Sequence, residues 1–228
     1  MTTGSLGGAV SQIGELQAHL PAAGSVLVGA AALGVAVLPG FAQVTRHVNT
    51  MAHEGAHAVM GSATGRRVTS VTLRGNGDGR TVLAPSSGGG FILAGVVGYL
   101  GPSAFGLGAA KLIQTGHIIA VLWLTLILLA VLAIVARRSW FGITAVALAG
   151  LLVYLMARYA PVGGQVALAY GIAWFLLLSG VQMVLAHGRN AGDAIALREI
   201  TRLPRGLWAA LWLLGSAAAL IIGARMLV

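Results

Sequence analysis

Apolar residues are distributed along the chain in a way that predicts seven membrane-spanning helices. Apolar runs of roughly 20 residues, the length that crosses the hydrocarbon core of a bilayer, recur from residue 22 onward. The predicted segments lie at 22–38, 43–62, 89–112, 117–136, 141–158, 164–186 and 206–227. We therefore expect an all-α polytopic membrane protein, built as a bundle of about seven transmembrane helices.

The stretch between the second and third segments has a different pattern. RRVTSVTLR at 66–74 alternates and is rich in Val and Thr, GNGDG at 75–79 is a turn signal, and RTVLA follows at 80–84. This predicts a small β-hairpin after the second helix, either outside the lipid or lining a cavity. The alternative is a polar loop without strands.

The same pattern indicates one membrane domain. We expect a short N-terminal tail at 1–21 and a single transmembrane domain at 22–228. The tail lacks the positively charged start of a cleaved signal peptide, so the first apolar segment is expected to remain as a span.

Composition agrees with a membrane protein, since 57% of the residues are hydrophobic and 8% are charged. The net charge of +9 would suggest nucleic acid in a soluble protein. No basic stripe with interleaved aromatic residues is present, so we expect no nucleic-acid partner and assign the arginines to the lipid bilayer. The absence of cysteine excludes disulfides and thiolate metal sites.

The distribution of basic residues predicts an orientation. With seven alternating spans, ten of the 14 lysines and arginines fall on one side of the membrane. The positive-inside rule then places the N-terminus, the hairpin and the 187–205 loop in the cytoplasm. The Ala-, Gly- and Arg-rich composition favours a bacterial inner membrane. This orientation depends on the second segment crossing the membrane.

The second segment contains the motif HEGAH at 53–57. On a helix, His53 and His57 lie one turn apart on the same face, so both imidazoles can bind one Zn²⁺. Glu54 beside them can take a proton from the attacking water. Ionisable groups inside a span are costly, which favours a functional role over a buried polar cluster or a surface amphipathic helix.

HEGAH and three looser stretches resemble the site-2 protease family of intramembrane zinc metallopeptidases, especially a compact bacterial branch. The stretches are GRRVTSVTLRGNGDGRT at 65–81, GYLGPSAFG at 98–106 and NAGDAIALREITRLPRGLW at 190–208. The resemblance implies hydrolysis of a peptide bond in or beside the transmembrane segment of a single-span substrate, near the cytoplasmic face. It implies that His53 and His57 bind zinc, that Glu54 is the general base, and that the hairpin holds an unwound substrate strand.

Zinc needs a third protein ligand besides the two histidines and a water. The resemblance points to Asp193, although the family's Leu-Asp-Gly is replaced here by Gly-Asp-Ala. Asp193 also suits the N-cap of a helix at 194–203. Glu199 is the alternative ligand, but the neighbouring arginines favour a solvated ion-pair face for it.

The family's Gly-Pro segment usually carries an asparagine just after it, where this chain has Ser103 and Phe105. A substrate-binding role there is therefore in doubt, and the interpretation that we favour is a Gly-Pro helix break within a packed bundle.

The rival function is a zinc-binding membrane protein without peptidase activity, either a transporter or a partner subunit. A transporter should carry polar residues through several spans, which the fourth, fifth and seventh segments lack. A non-catalytic descendant would usually have lost Glu54.

Overall fold

The computed structural model describes residues 13–84, 89–136, 139–190 and 192–228, without the side chains of 89–91. Its elements are helical apart from one small sheet. The helices are α1 (Ala22–Val37), α2 (Ala42–Ala63), α3 (Gly89–Gln114), α4 (Ile118–Val135), α5 (Trp140–Tyr159), α6 (Val162–His187), α7 (Gly192–Thr201) and α8 (Arg205–Leu227), and the strands are β1 (Val68–Leu73) and β2 (Gly79–Leu83). The predicted fold class is confirmed.

Five of the described helices, namely α3 to α6 and α8, are each long and apolar enough to cross a membrane. The first two predicted spans differ from the prediction, because α1 and α2 meet at a bend of 75° and reach the same length and apolarity only as a pair. Pro39 explains the bend, since proline disfavours a helical conformation at the preceding residue and Leu38 is extended, with ψ 133°. The described residues therefore contain five or six spans instead of seven.

The predicted β-hairpin is present. β1 and β2 pair antiparallel, with Val71 opposite Thr81 and Leu73 opposite Gly79. Val71 and Leu73 point inward and are buried with residues of α2, α4 and α5. The Ser139 hydroxyl, just before α5, donates to the Leu73 carbonyl oxygen over 2.7 Å. The hairpin is therefore packed onto the helices through one face.

Helix α3 lies at the centre of the bundle, in contact with α2, α6 and α8. The predicted break at Gly101-Pro102 is wrong, because α3 continues through Pro102 from Gly89 to Gln114. Neighbouring helices pack closely against this part of α3, and such packing lets a membrane helix tolerate proline. Gly101 is one close contact point: a Cβ there would overlap the Ala56 side chain and lie 3.2 Å from the Ala52 carbonyl oxygen.

Gly101→Ala is expected to destabilise the protein by about 1–3 kcal/mol, because the added methyl group forces α2 and α3 apart. The measurement is thermal unfolding of the detergent-purified protein. Gly108→Ala is the matched control in the same helix, since nothing lies within 4 Å of a Cβ there. Alanine favours a helix over glycine by roughly 1 kcal/mol, so the control should keep or raise Tm. Equal Tm values for both variants would contradict the close contact.

Candidate metal centre

Helix α2 places the two histidines of HEGAH side by side. Their Nε2 atoms are 3.1 Å apart, as expected for positions separated by one helical turn. His57 Nδ1 lies 2.8 Å from the carbonyl oxygen of Ala94 in α3. A carbonyl oxygen only accepts, so Nδ1 carries the proton and Nε2 keeps its lone pair. This is the hydrogen bond that commonly orients a metal-binding histidine.

Helix α7 brings Asp193 to the histidines. Its Oδ2 atom lies 3.2 Å from His53 Nε2 and 3.3 Å from His57 Nε2. The inner face of α7 carries Ala194 and Leu197, which are fully buried in a cluster with aromatic residues of α3 and α8. This packing determines the rotation of α7 and directs its first turn toward α2.

The three candidate ligand atoms, His53 Nε2, His57 Nε2 and Asp193 Oδ2, have the spacing of a metal site. Two ligands of a tetrahedral zinc ion with bonds of about 2.0–2.1 Å are about 3.3 Å apart, and the three distances here are 3.1, 3.2 and 3.3 Å. His57 Nε2 and Asp193 Oδ2 are both acceptors, and two acceptors this close repel unless a cation or a proton lies between them. The residues present therefore fit a divalent metal ion.

Asp193 is electrostatically suited to bind a cation. Burial opposes ionisation of its carboxyl group, but when a proton on His53 or His57 faces the carboxylate, the resulting hydrogen bonds and charge interactions outweigh burial and lower its pKa well below the usual value. The carboxylate is therefore an anion at neutral pH.

Gly98 of α3 leaves room beside the candidate ligand atoms of the two histidines. A Cβ there would overlap His57 Nε2 and would lie 2.7 Å from His53 Cε1. The next residue, Tyr99, is edge-on to the His53 ring at 4.9 Å between centroids and stacks on Trp212 at 4.6 Å. Sequence reasoning gave Gly98 and Tyr99 no role, because nothing local in the sequence shows that α3 crosses the motif here.

Glu54 lies on a different face of α2 and is held by the hairpin. It is 4% exposed. The Thr81 hydroxyl donates to its Oε2 over 2.5 Å and lies 3.3 Å from its backbone carbonyl oxygen. Gly79 also packs against the Glu54 side chain, since a Cβ at Gly79 would lie 2.7 Å from Glu54 Oε1. Sequence reasoning missed both β2 residues, because these contacts join parts of the chain that are distant in sequence.

A polar stripe on α2 fixes the rest of the hairpin. Gln43, Arg46 and Thr50 donate to the carbonyl oxygens of turn residues 75, 76 and 77, over 2.7, 3.0 and 2.6 Å. These residues and Glu54 are spaced three or four apart, which places them along one side of the helix. The strand β2 and the carboxylate of Glu54 therefore form one connected unit.

Comparison with known proteins adds one finding. The family model described as Peptidase M50B-like matches residues 26–223. The chain belongs to this family. The match confirms the resemblance to site-2 proteases and identifies a membrane metallopeptidase family. No curated protein and no solved structure matched the chain.

Within this M50B-like chain, the structure separates the two candidates for the third ligand. Among the described residues, the His/Cys/Asp/Glu group with metal-site spacing consists of His53, His57 and Asp193. Glu199 is exposed two turns further along α7, and Asp78 lies in the hairpin turn, where it accepts a hydrogen bond from Asn76. The roles of the three residues as ligands, and of Glu54 as base, remain predictions.

The metal content of the purified protein tests the ligand set. Wild type is expected to hold a single metal ion per chain, and His53→Ala and Asp193→Ala to lose it, because two ligands do not retain the ion. Glu199→Ala is the matched control and should keep the metal. Elemental analysis of detergent-purified protein measures this. Metal retained in Asp193→Ala and lost in Glu199→Ala would assign the third ligand to Glu199.

Proposed function

We propose that this protein is an intramembrane zinc metalloprotease. It hydrolyses a peptide bond within or beside the transmembrane segment of a single-span membrane protein. The proposal is carried by the convergence of two imidazole nitrogens and a carboxylate oxygen in one turn of α2 and one turn of α7. Membership of the M50B-like family supports the peptidase activity.

The residues divide the chemistry among them. His53, His57 and Asp193 would hold the ion. When bound, Zn²⁺ supplies a Lewis acid that polarises the scissile carbonyl group and lowers the pKa of water. Glu54 accepts the proton of the attacking water on its carboxylate and returns it to the leaving nitrogen. Burial of Glu54 against β2 keeps bulk water away from this carboxylate.

The hairpin is suited to present the substrate. A peptide bond within a helix is shielded by its own hydrogen bonds, so the substrate segment must be extended before attack. The sheet has only two strands in the described part of the chain, and Val82 of β2 is exposed. An extended substrate segment can add to such an edge by main-chain hydrogen bonds. It would then run beside the strand that holds Glu54.

We place the hairpin and the metal centre at the cytoplasmic face of a bacterial inner membrane, as the positive-inside rule suggests. With five spans from α3 to α8, the hairpin, the C-terminal end of α4 and the helix α7 would all lie on one side of the membrane, whichever path α1 and α2 take. Arg137 and Arg138 themselves lie outside the described residues. The orientation of the N-terminus depends on whether the bent pair crosses the membrane.

Replacing the general base separates a protease from a zinc-binding protein without peptidase activity. Glu54→Gln should keep the metal and slow cleavage by about 10²–10⁴-fold, since the amide cannot accept the proton. Cleavage of single-span substrates in reconstituted vesicles is the measurement, with Glu199→Gln as a control for loss of one carboxylate. Wild-type rates in Glu54→Gln would refute the proposed mechanism, and full metal loss would make Glu54 a structural residue.

Thr81 is expected to act as a positioning residue through its hydrogen bond to Glu54. Thr81→Val should lower kcat by about 10- to 100-fold with little change in KM, because a hydrogen bond to a charged group contributes roughly 1.5–3 kcal/mol. Thr81→Ser should restore most of the rate. Thr72→Val, on the paired strand opposite Arg80, removes a hydroxyl that is not part of the Thr81–Glu54 hydrogen bond and should behave as wild type. An equal loss of kcat in the valine and serine variants would contradict the positioning role.

A further inference from the structure

A second site lies at the ends of α6, α7 and α8, separate from the metal centre. It is a cavity of about 580 Å³, lined by residues of the turn at 188–190, the outer face of α7 and the start of α8. Its charged lining residues are Arg189, Arg198, Arg202 and Arg205. Both α6 and α8 are candidate membrane spans, and the cavity lies at their ends, so helices that cross the membrane would place it near the lipid headgroups.

The charge in this cavity has no ion-pair partner in the described part of the chain. All five Asp and Glu side chains are among the described residues, and none of them forms an ion pair with these four arginines. Glu199 lies next to Arg198 on α7 and three residues before Arg202, but it forms no ion pair with either of them. The four guanidinium groups repel one another, and because Arg189, Arg198 and Arg202 are exposed, water screens part of this repulsion. An anion between them would remove this repulsion.

The backbone at Arg202 indicates that an arginine is kept there at a cost. Its φ is 60°, in the left-handed region, where a side chain is disfavoured and glycine is not. Arg202 directly follows α7, and its N–H donates to the Arg198 carbonyl oxygen over 2.8 Å. Glycine would make the same hydrogen bond without the strain. A side chain retained in a strained position is a reason to look for its function.

The start of α8 adds further positive potential. Pro204 precedes the helix and offers no side-chain acceptor to its first N–H groups. Arg205 and Gly206, at that end, both line the cavity. The N-terminal end of a 23-residue helix carries a partial positive charge and favours phosphate groups. The helix end and the arginines therefore favour the same kind of ligand.

We propose that this cavity binds a phosphate group, from an anionic lipid headgroup or from a soluble phosphate ester. Guanidinium groups suit this ligand, because their planar donors bind phosphate oxygens in pairs. Arg198 lies on α7 and Arg202 just after its end, four residues apart, while Arg189 lies in the turn at 188–190 and Arg205 at the start of α8. A bound phosphate would join the ends of three helices, one of which also carries Asp193.

The test is thermal unfolding of the full-length protein in a neutral detergent. Phosphatidylglycerol, phosphatidylcholine and glycerol phosphate are the probes, each titrated into wild type and variants. The cavity variant is Arg198→Gln with Arg202→Gln. The matched control is Arg74→Gln with Arg80→Gln, which removes the same charge from exposed positions of the hairpin. A third variant, Arg202→Gly, removes one side chain together with the backbone strain.

Phosphatidylglycerol is expected to raise Tm of wild type and of the hairpin variant by several degrees, and to raise Tm of the cavity variant by less than half as much. Arg202→Gly should start from an equal or higher Tm and show a smaller shift. A shift with glycerol phosphate as well would assign the ligand to soluble esters, and a shift with phosphatidylglycerol alone to lipid. Equal shifts in the cavity and hairpin variants, or none in wild type with any probe, would overturn the proposal.

Discussion

Polar side chains on α2 must find partners inside an apolar bundle, and much of the structure follows from this constraint. An unsatisfied polar group in the hydrocarbon region costs several kcal/mol. Three residues of the helix meet the requirement, each with a different neighbour. Thr45 donates to the Val35 carbonyl oxygen of α1, His57 to Ala94 of α3, and Thr50 to the hairpin turn. Asn49 Oδ1 and His53 Nδ1 are buried without a hydrogen-bond partner among the described residues, and the Nε2 atoms of both histidines face Asp193 of α7.

Two glycines of α3 allow α2 and α3 to pack closely enough for this arrangement. Gly101 allows the backbones of α2 and α3 to approach each other, and Gly98 leaves space beside the histidine nitrogens. Small residues serve close packing in membrane helices generally. Here they have a second consequence, because the same close approach brings the Ala94 carbonyl oxygen within 2.8 Å of His57 Nδ1. Packing and ligand orientation thus have one cause.

The helix α2 also connects the metal centre to the hairpin. His53 and His57 lie on one side of it, and Glu54, one residue from His53, lies against β2. Consecutive residues on a helix point about 100° apart, so the motif itself separates the candidate ligands from Glu54. A strand that binds substrate next to Glu54 would therefore bring the substrate close to a bound metal ion, while the strand itself would not contact His53 or His57. The arginine-lined cavity lies on the remaining neighbour, α7, at the opposite end from Asp193.

Local regularities made much of this protein predictable from its sequence. Helical periodicity alone determines that His53 and His57 share a face. The length of the apolar runs predicts membrane spans, and the Val/Thr alternation around a Gly-rich turn predicts the hairpin. The bend before Pro39 was readable in principle, but the continuation of α3 through Pro102 depends on neighbouring helices. The choice between Asp193 and Glu199 could not be read locally, because both lie on one short helix. Tertiary packing separates their positions: burial of Ala194 and Leu197 against α3 and α8 determines the rotation of α7, and this rotation turns Asp193 toward the histidines and Glu199 toward solvent.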